Sequence, residues 1–130
     1  MIDHETLIDT LLRRDSTAAS IGGEYDTTLE RTLPALVYRL TGDGQVSNGP
    51  GLWTVELTAN VHGEPADAWR VTSELYDLVH AWPFNSRIDG LGAVQQVDDE
   101  DMPTRQPTSP DGGNTGVQYT ASWALLLREL

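Results

Sequence analysis

The stretch Leu52–Trp82, LWTVELTANVHGEPADAWRVTSELYDLVHAW, decides the fold. Its odd positions Trp53, Val55, Leu57, Ala59 and Val61 are apolar, while Thr54, Glu56, Thr58 and Asn60 between them are polar. Alternation with a period of two predicts a strand with one face buried and one wet. The period changes at His62-Gly63-Glu64-Pro65. From there Ala68, Val71, Leu75, Leu78, Val79 and Trp82 fall three and four residues apart, on one stripe of a helix. Pro65 suits the first helical turn, where its missing N–H costs nothing, and Asp67 lies near the positive end of the helix dipole. Pro83 is expected to close the helix. This strand and helix form the expected packing nucleus.

Before the nucleus, His4–Arg14 reads as a helix with Asp3 as N-cap and Leu7, Ile8, Leu11 and Leu12 on one face. Arg13 and Arg14 fall in its last turn, where cations complement the dipole. Asp15–Leu33 has no sustained period and reads as a loop long enough to suggest a functional or partner-ordered role. Leu36–Leu40 reads as a short strand that Pro34 introduces, and Thr41–Gly51 as a wide hairpin loop. After the nucleus, Leu91–Asp98 is a weakly patterned strand and Asp99–Gly116, rich in Pro and Gly, a long polar loop. Val117–Arg128 alternates again and closes the chain as a second long strand.

These elements predict an α+β fold: a single, mostly antiparallel four-stranded sheet in the order 1-2-4-3 with two helices packed on one face. The covered face would bury Trp53, Val55, Leu57, Tyr119 and Trp123 against Val71, Leu75 and Trp82. The opposite face, with Thr54, Glu56, Thr58, Gln118, Thr120 and Ser122, would be wet. At 130 residues the chain suits one domain, with long loops at 15–33, 41–51 and 99–116.

The formal charge is −12, from 20 acidic residues and eight basic ones, all arginine. Such a surface repels a phosphate backbone, since nucleic-acid binders need clustered cations. Acidity serves solubility, or a surface that stays near nucleic acid without sticking to it. With no cysteine there is no disulfide framework and no thiolate metal site. The N-terminal MIDHETLIDTLLRRD carries charge within its apolar pattern and reads as neither signal peptide nor membrane anchor. A cytoplasmic location or a place inside an assembly follows.

Motifs for chemistry are scarce. His4, His62 and His80 stand in no H-x-x-x-H or H-E-x-x-H spacing, and there is no nucleophile elbow, P-loop or dinucleotide fingerprint. Asp77 and His80, three apart on the long helix, share a face that would seat a metal or a base, or form a plain exposed pair. The run Asp98, Asp99, Glu100, Asp101 lacks the spaced pattern of a calcium loop and reads as a solvated loop. Trp69 lies off the apolar stripe and is a candidate interface residue. No catalytic residue, metal ligand or cofactor site is predicted.

In order and pattern the chain resembles the tail terminator (tail completion) proteins of long-tailed bacteriophages, over nearly its whole length. The resemblance rests on the N-terminal helix, the strand PALVYRL, the stretch WTVELTANVHGEPADAWRVTSELYDLVHAW, the strand GAVQQV with its loop DDEDMPTRQP, and the last strand VQYTASWALLLREL. It implies a non-enzymatic structural protein that forms a homohexameric ring on the tail tube, stops tube polymerisation and presents a surface to the head–tail connector protein. Implied partners are further copies of the chain, the tail tube protein and the connector, with DNA passing through unbound. The implied location is the head-proximal end of the virion tail, and the host cytoplasm during assembly. Under this resemblance Asp98, Asp99, Glu100 and Asp101 become candidate lumen- or partner-facing residues, and 15–33 and 41–51 candidate contact loops. The alternatives are another head–tail connector component, or a small α+β ligand-binding domain or enzyme using Asp77, His80 and the tryptophans.

Overall fold

The computed structural model describes residues 1–23, 32–106 and 116–130. Helix α1 spans His4–Asp15, within a residue of its expected end. Asp3 caps it: one carboxylate oxygen accepts from the Thr6 N–H at 3.1 Å, the other from the Thr6 hydroxyl at 2.8 Å. Its apolar face, Leu7, Ile8, Leu11 and Leu12, is fully buried.

Strand β1 (Ser20–Gly23) lies in what the sequence suggests is loop. It pairs in parallel with β2 (Ala35–Gln45), from Ser20 opposite Ala35 to Gly23 opposite Tyr38. Four residues, two of them glycine, carry no readable period, and the neighbouring strand supplies the order. β2 runs antiparallel to β3 (Leu52–Gly63), and the expected wide loop shrinks to the turn between Gln45 and Leu52. β3 and β5 (Val117–Arg128) pair along their full lengths, from Leu52 opposite Arg128 to Gly63 opposite Val117. Beyond β5 lies β4 (Ala93–Arg105), which continues well past the expected end at Asp98. The sheet therefore has five strands in the order β1-β2-β3-β5-β4, where four in the order 1-2-4-3 were expected. The other four keep their expected mutual order, and the addition is the edge strand β1. The remaining parts of the expected loops, 24–31 and 107–115, lie outside the described residues.

Helix α2 spans Pro65–Asn85 and does not stop at Pro83. Proline in the last turn forfeits only the bond its N–H would have made to Val79, and the Ser86 N–H still reaches the Trp82 carbonyl at 3.0 Å. The Ser86 hydroxyl is buried and stands in for a strand residue. It accepts from the Val94 N–H at 2.7 Å and donates to the Val94 carbonyl at 3.2 Å, joining the helix end to the start of β4.

Both helices pack on one face of the sheet. Ala68, Val71, Leu75, Val79 and Trp82 of α2 share a core with Val55, Leu57, Ala59 and Val61 of β3 and Ala121, Trp123, Leu125 and Leu127 of β5. Trp82 links the helices directly: its indole N–H donates to Asp15 at 3.1 Å. Arg14 also donates to that carboxylate, at 2.8 Å, and reaches the Asn85 carbonyl at 3.2 Å. Two expected core residues, Trp53 and Tyr119, are only half-buried. Trp53 lies where β3 begins and uses its N–H on Glu129, 2.7 Å away.

The helix-free face is less wet than the alternation suggests. Thr54, Glu56, Thr58, Gln118 and Thr120 are half-buried, and Ser122 is buried. Cross-strand pairing draws these side chains onto one another: Gln118 and Thr120 both donate to the Asn60 side-chain oxygen, at 3.1 and 2.7 Å.

Candidate functional site: an acidic edge strand beside the long helix

Asp98, Asp99, Glu100 and Asp101 sit on β4, not on a loop. Acidic residues are poor strand formers, but β4 is an edge strand with one neighbour, and β5 needs a partner along its length. The pairing is irregular. Register shifts fall between Val94 and Gln96, Asp99 and Asp101, and Asp101 and Thr104. Each inserts or skips residues and re-aims the side chains around it.

The shift at Asp99/Asp101 divides the acidic run between the two faces. Asp99 is opposite Trp123 and points to the helix side, where Tyr76 donates its hydroxyl at 2.7 Å and His80 Nε2 lies 2.7 Å from the other oxygen. The Tyr76 and His80 rings pack at a tilt of 46° with centroids 4.6 Å apart. The Tyr76 hydroxyl, and then His80, hold the Asp99 carboxyl below the ordinary aspartate value, against partial desolvation. The buried Trp123 indole N–H lends a smaller pull to the same carboxylate but reaches no full hydrogen bond. Asp101 is opposite Ser122 on the helix-free side and accepts its hydroxyl at 2.9 Å. Glu100 is the inserted residue. Loss of water pushes its carboxyl above the ordinary glutamate value, helped by Glu56 and then by Asp101 and Asp43.

The sequence pairs His80 with Asp77 on the helix surface; the structure pairs it with Asp99 across to β4, leaving Asp77 exposed. Helical spacing reveals neighbours within α2 but carries no information on which strand lies beneath it. Trp69 is 53% exposed and leans on Tyr119 of β5, with ring centroids 5.6 Å apart. Phe84, which sequence reasoning passed over because the helix was expected to end at Pro83, is 91% exposed in the last turn of α2. Its four-residue spacing from His80 was the available signal.

Chemically, His80, Asp99 and Tyr76 form a closed hydrogen-bonded set beside the helix. Each oxygen of the Asp99 carboxylate has one partner, the Tyr76 hydroxyl on one and His80 Nε2 on the other. A cavity of about 450 Å³ lies elsewhere, between the end of α1 and β1, lined by Arg13, Ser16, Ala18, Ile21 and Thr32 among others. Among the described residues no group of three or more His, Cys, Asp or Glu side chains is arranged to hold a metal ion. Among the described residues no helix is long and apolar enough to cross a membrane. No protein-family model and no curated protein matches this chain.

The carboxyls give stability an asymmetric pH dependence. Asp99 and Asp15 are both held below their ordinary value, Asp15 by Arg14 and then Trp82. Their contribution is complete above the unfolded aspartate value of about 3.9 and is lost as pH falls through the lower folded value. Glu100 has the opposite sign: its ionisation costs stability, and the cost is relieved as pH falls through its raised folded value. The urea midpoint should hold or rise from neutral pH down to about 4.5, then fall below about 4. In Glu100→Gln the rise should be lost and the low-pH fall kept; a rise of unchanged size in that variant would contradict the assignment.

Proposed function

We propose that this chain is a non-enzymatic structural protein of the tail terminator type, which closes into a ring, a homohexamer, on the tail tube of a long-tailed phage. The ring ends tube polymerisation and offers the head–tail connector a surface, at the head-proximal end of the virion tail. The observation that carries the reading is the division of the molecule into two faces. Among the described residues both helices cover one side of the sheet, while the other side is without a helix and carries Glu56, Glu100 and Asp101. In a chain of net charge −12, that acidic side suits a wall along which DNA moves without binding. The element order, with α2 between the central strand β3 and the acidic edge strand β4, supports the same reading.

Closing such a ring brings like charges together, so assembly should strengthen with ionic strength as the screening length falls from about 10 Å at 0.1 M salt to about 3 Å at 1 M. Negative-stain electron microscopy and light scattering of the purified protein, from low to high salt and with magnesium, test this. The expected result is a six-fold ring with a central hole at high salt, able to co-sediment with purified tail tubes. A monomer under every condition that also ignores tail tubes would overturn the proposal. Binding to capsid-side connectors in place of tubes would move the assignment to a connector component.

A further inference from the structure

The connection between β2 and β3 is built from two tight turns in succession. In the first the Gly49 N–H donates to the Val46 carbonyl at 3.1 Å, and in the second the Leu52 N–H donates to the Gly49 carbonyl at 3.0 Å. The third position of each turn has positive φ: Asn48 at +61° and Gly51 at +80°. Type II geometry requires this and admits glycine or asparagine there. The Val46 N–H closes the loop on the Leu52 carbonyl at 2.9 Å, and the Gly51 carbonyl accepts from the Glu129 N–H at 2.9 Å.

The two residues that the first turn selects make a reactive pair. Asn48 tolerates the left-handed region because its side chain is short and polar. Gly49 is dictated by space: a Cβ there would stand 3.1 Å from Leu52 Cδ1 and 3.4 Å from Val46 Cβ. A glycine has no side chain to shield its backbone nitrogen from the side-chain amide of the residue before it. Of the four asparagines in the chain, only Asn48 precedes a glycine. Asn48 is exposed, so water reaches it.

We infer that Asn48–Gly49 is a site of spontaneous deamidation, and that opening of the Val46–Gly49 turn gates the reaction. The Gly49 nitrogen gives up its proton to solvent base and attacks Asn48 Cγ, closing a succinimide ring. The bond from Cγ to the side-chain nitrogen breaks, and that nitrogen leaves as ammonia with a proton taken from water. Water then opens the ring at one carbonyl or the other, leaving aspartate or isoaspartate. Nothing is oxidised or reduced. Either product adds a negative charge, and isoaspartate also adds a methylene to the main chain inside the first turn.

The gate follows from the hydrogen bonds. In the closed turn the Gly49 N–H is tied to the Val46 carbonyl, so the nitrogen can neither lose its proton nor pivot toward Asn48 Cγ until that bond breaks. The Gly49 carbonyl is tied to Leu52 in the same way. Two such bonds favour the closed turn on the order of tenfold. The inference does not depend on the ring reading.

The test ages the full chain in mildly alkaline buffer, folded and in urea, and follows the peptide that contains Asn48 by mass spectrometry. The mass gain of amide to acid is expected in the unfolded chain, and on the order of tenfold more slowly in the folded one. Enzymatic methylation of the freed α-carboxyl counts the isoaspartate share. Asn48→Gly keeps the residue freedom that positive φ needs, so the turn survives, and the mass gain of the intact chain should fall sharply. Three results would each overturn the inference: no gain at Asn48 in urea, a folded rate equal to or above the unfolded rate, or an undiminished gain in intact Asn48→Gly.

Discussion

Trp82→Ala is expected to lower stability by about 3–5 kcal/mol, the usual cost of removing a buried tryptophan. Trp82 is completely buried near the end of α2, among side chains of both helices and the sheet. Alanine would leave a cavity that the strands cannot close, because β3 and β5 are fixed by pairing along their whole lengths. It would also leave the Asp15 carboxylate without the indole N–H that joins the two helices. Against a total stability of about 5–15 kcal/mol for a domain, that loss puts much of the chain near unfolding at physiological temperature. Trp82→Phe fills most of the space but loses the hydrogen bond, and should cost clearly less than the alanine variant. Urea unfolding of the three proteins measures both differences. A loss under about 1 kcal/mol in Trp82→Ala would mean that the site collapses freely and that Trp82 does not join the helices as described.

Gly92→Ala should be nearly as damaging, for a reason that lies in the backbone. Gly92 has φ +142°, a region that residues with a Cβ rarely adopt. A methyl group there would meet the Arg128 carbonyl oxygen at 2.6 Å and Ile2 Cδ1 at 2.9 Å. Arg128 belongs to β5, which cannot withdraw without breaking the ladder that starts β4 at Ala93. Strain and overpacking together should cost about 2–4 kcal/mol. Gly90 is the control: its φ is +82°, but no atom lies within 4 Å of an added Cβ. Gly90→Ala should therefore show only the conformational penalty, about 1–2 kcal/mol. Thermal melts of the pair separate steric collision from backbone preference, and equal losses would remove the collision from the account.

Much of this architecture was legible in the sequence because burial has a period. Val55 to Val61 and Ala121 to Leu127 alternate as strands with one face in a core, and Ala68 to Trp82 and Leu7 to Leu12 repeat as helices do. The departures fall where local preference and tertiary demand disagree. Ser20–Gly23 has no pattern of its own and becomes a strand because β2 lies alongside. Asp98–Arg105 has the composition of a loop, with four acids and a proline, yet β5 holds it in the sheet. Pro83 ordinarily stops a helix, but near the C-terminal end it forfeits a single bond, and α2 runs on to Asn85 with the Ser86 N–H on the Trp82 carbonyl.

The candidate site was half legible. Trp69 was singled out from its place off the apolar stripe, and it is exposed. The acidic run was found as composition, but its division between two faces depends on register shifts that no residue type encodes. Tyr76 and Asp99 meet only because β4 lies beneath α2, which is a fact of topology.

The Ser86 side chain has a consequence for motion. Helix ends ordinarily fray first, since their last carbonyls have no partners within the helix. Here the last turn of α2 cannot open without releasing the Val94 N–H and carbonyl, and with them the first hydrogen bonds of β4. Opening at the helix terminus and opening at the sheet edge are thereby made one cooperative event. Amide hydrogens of residues 84–86 and of Val94 should exchange with solvent at a common rate set by that event, and Phe84, although open to water, is carried on a turn as slow to open as the strand beside it.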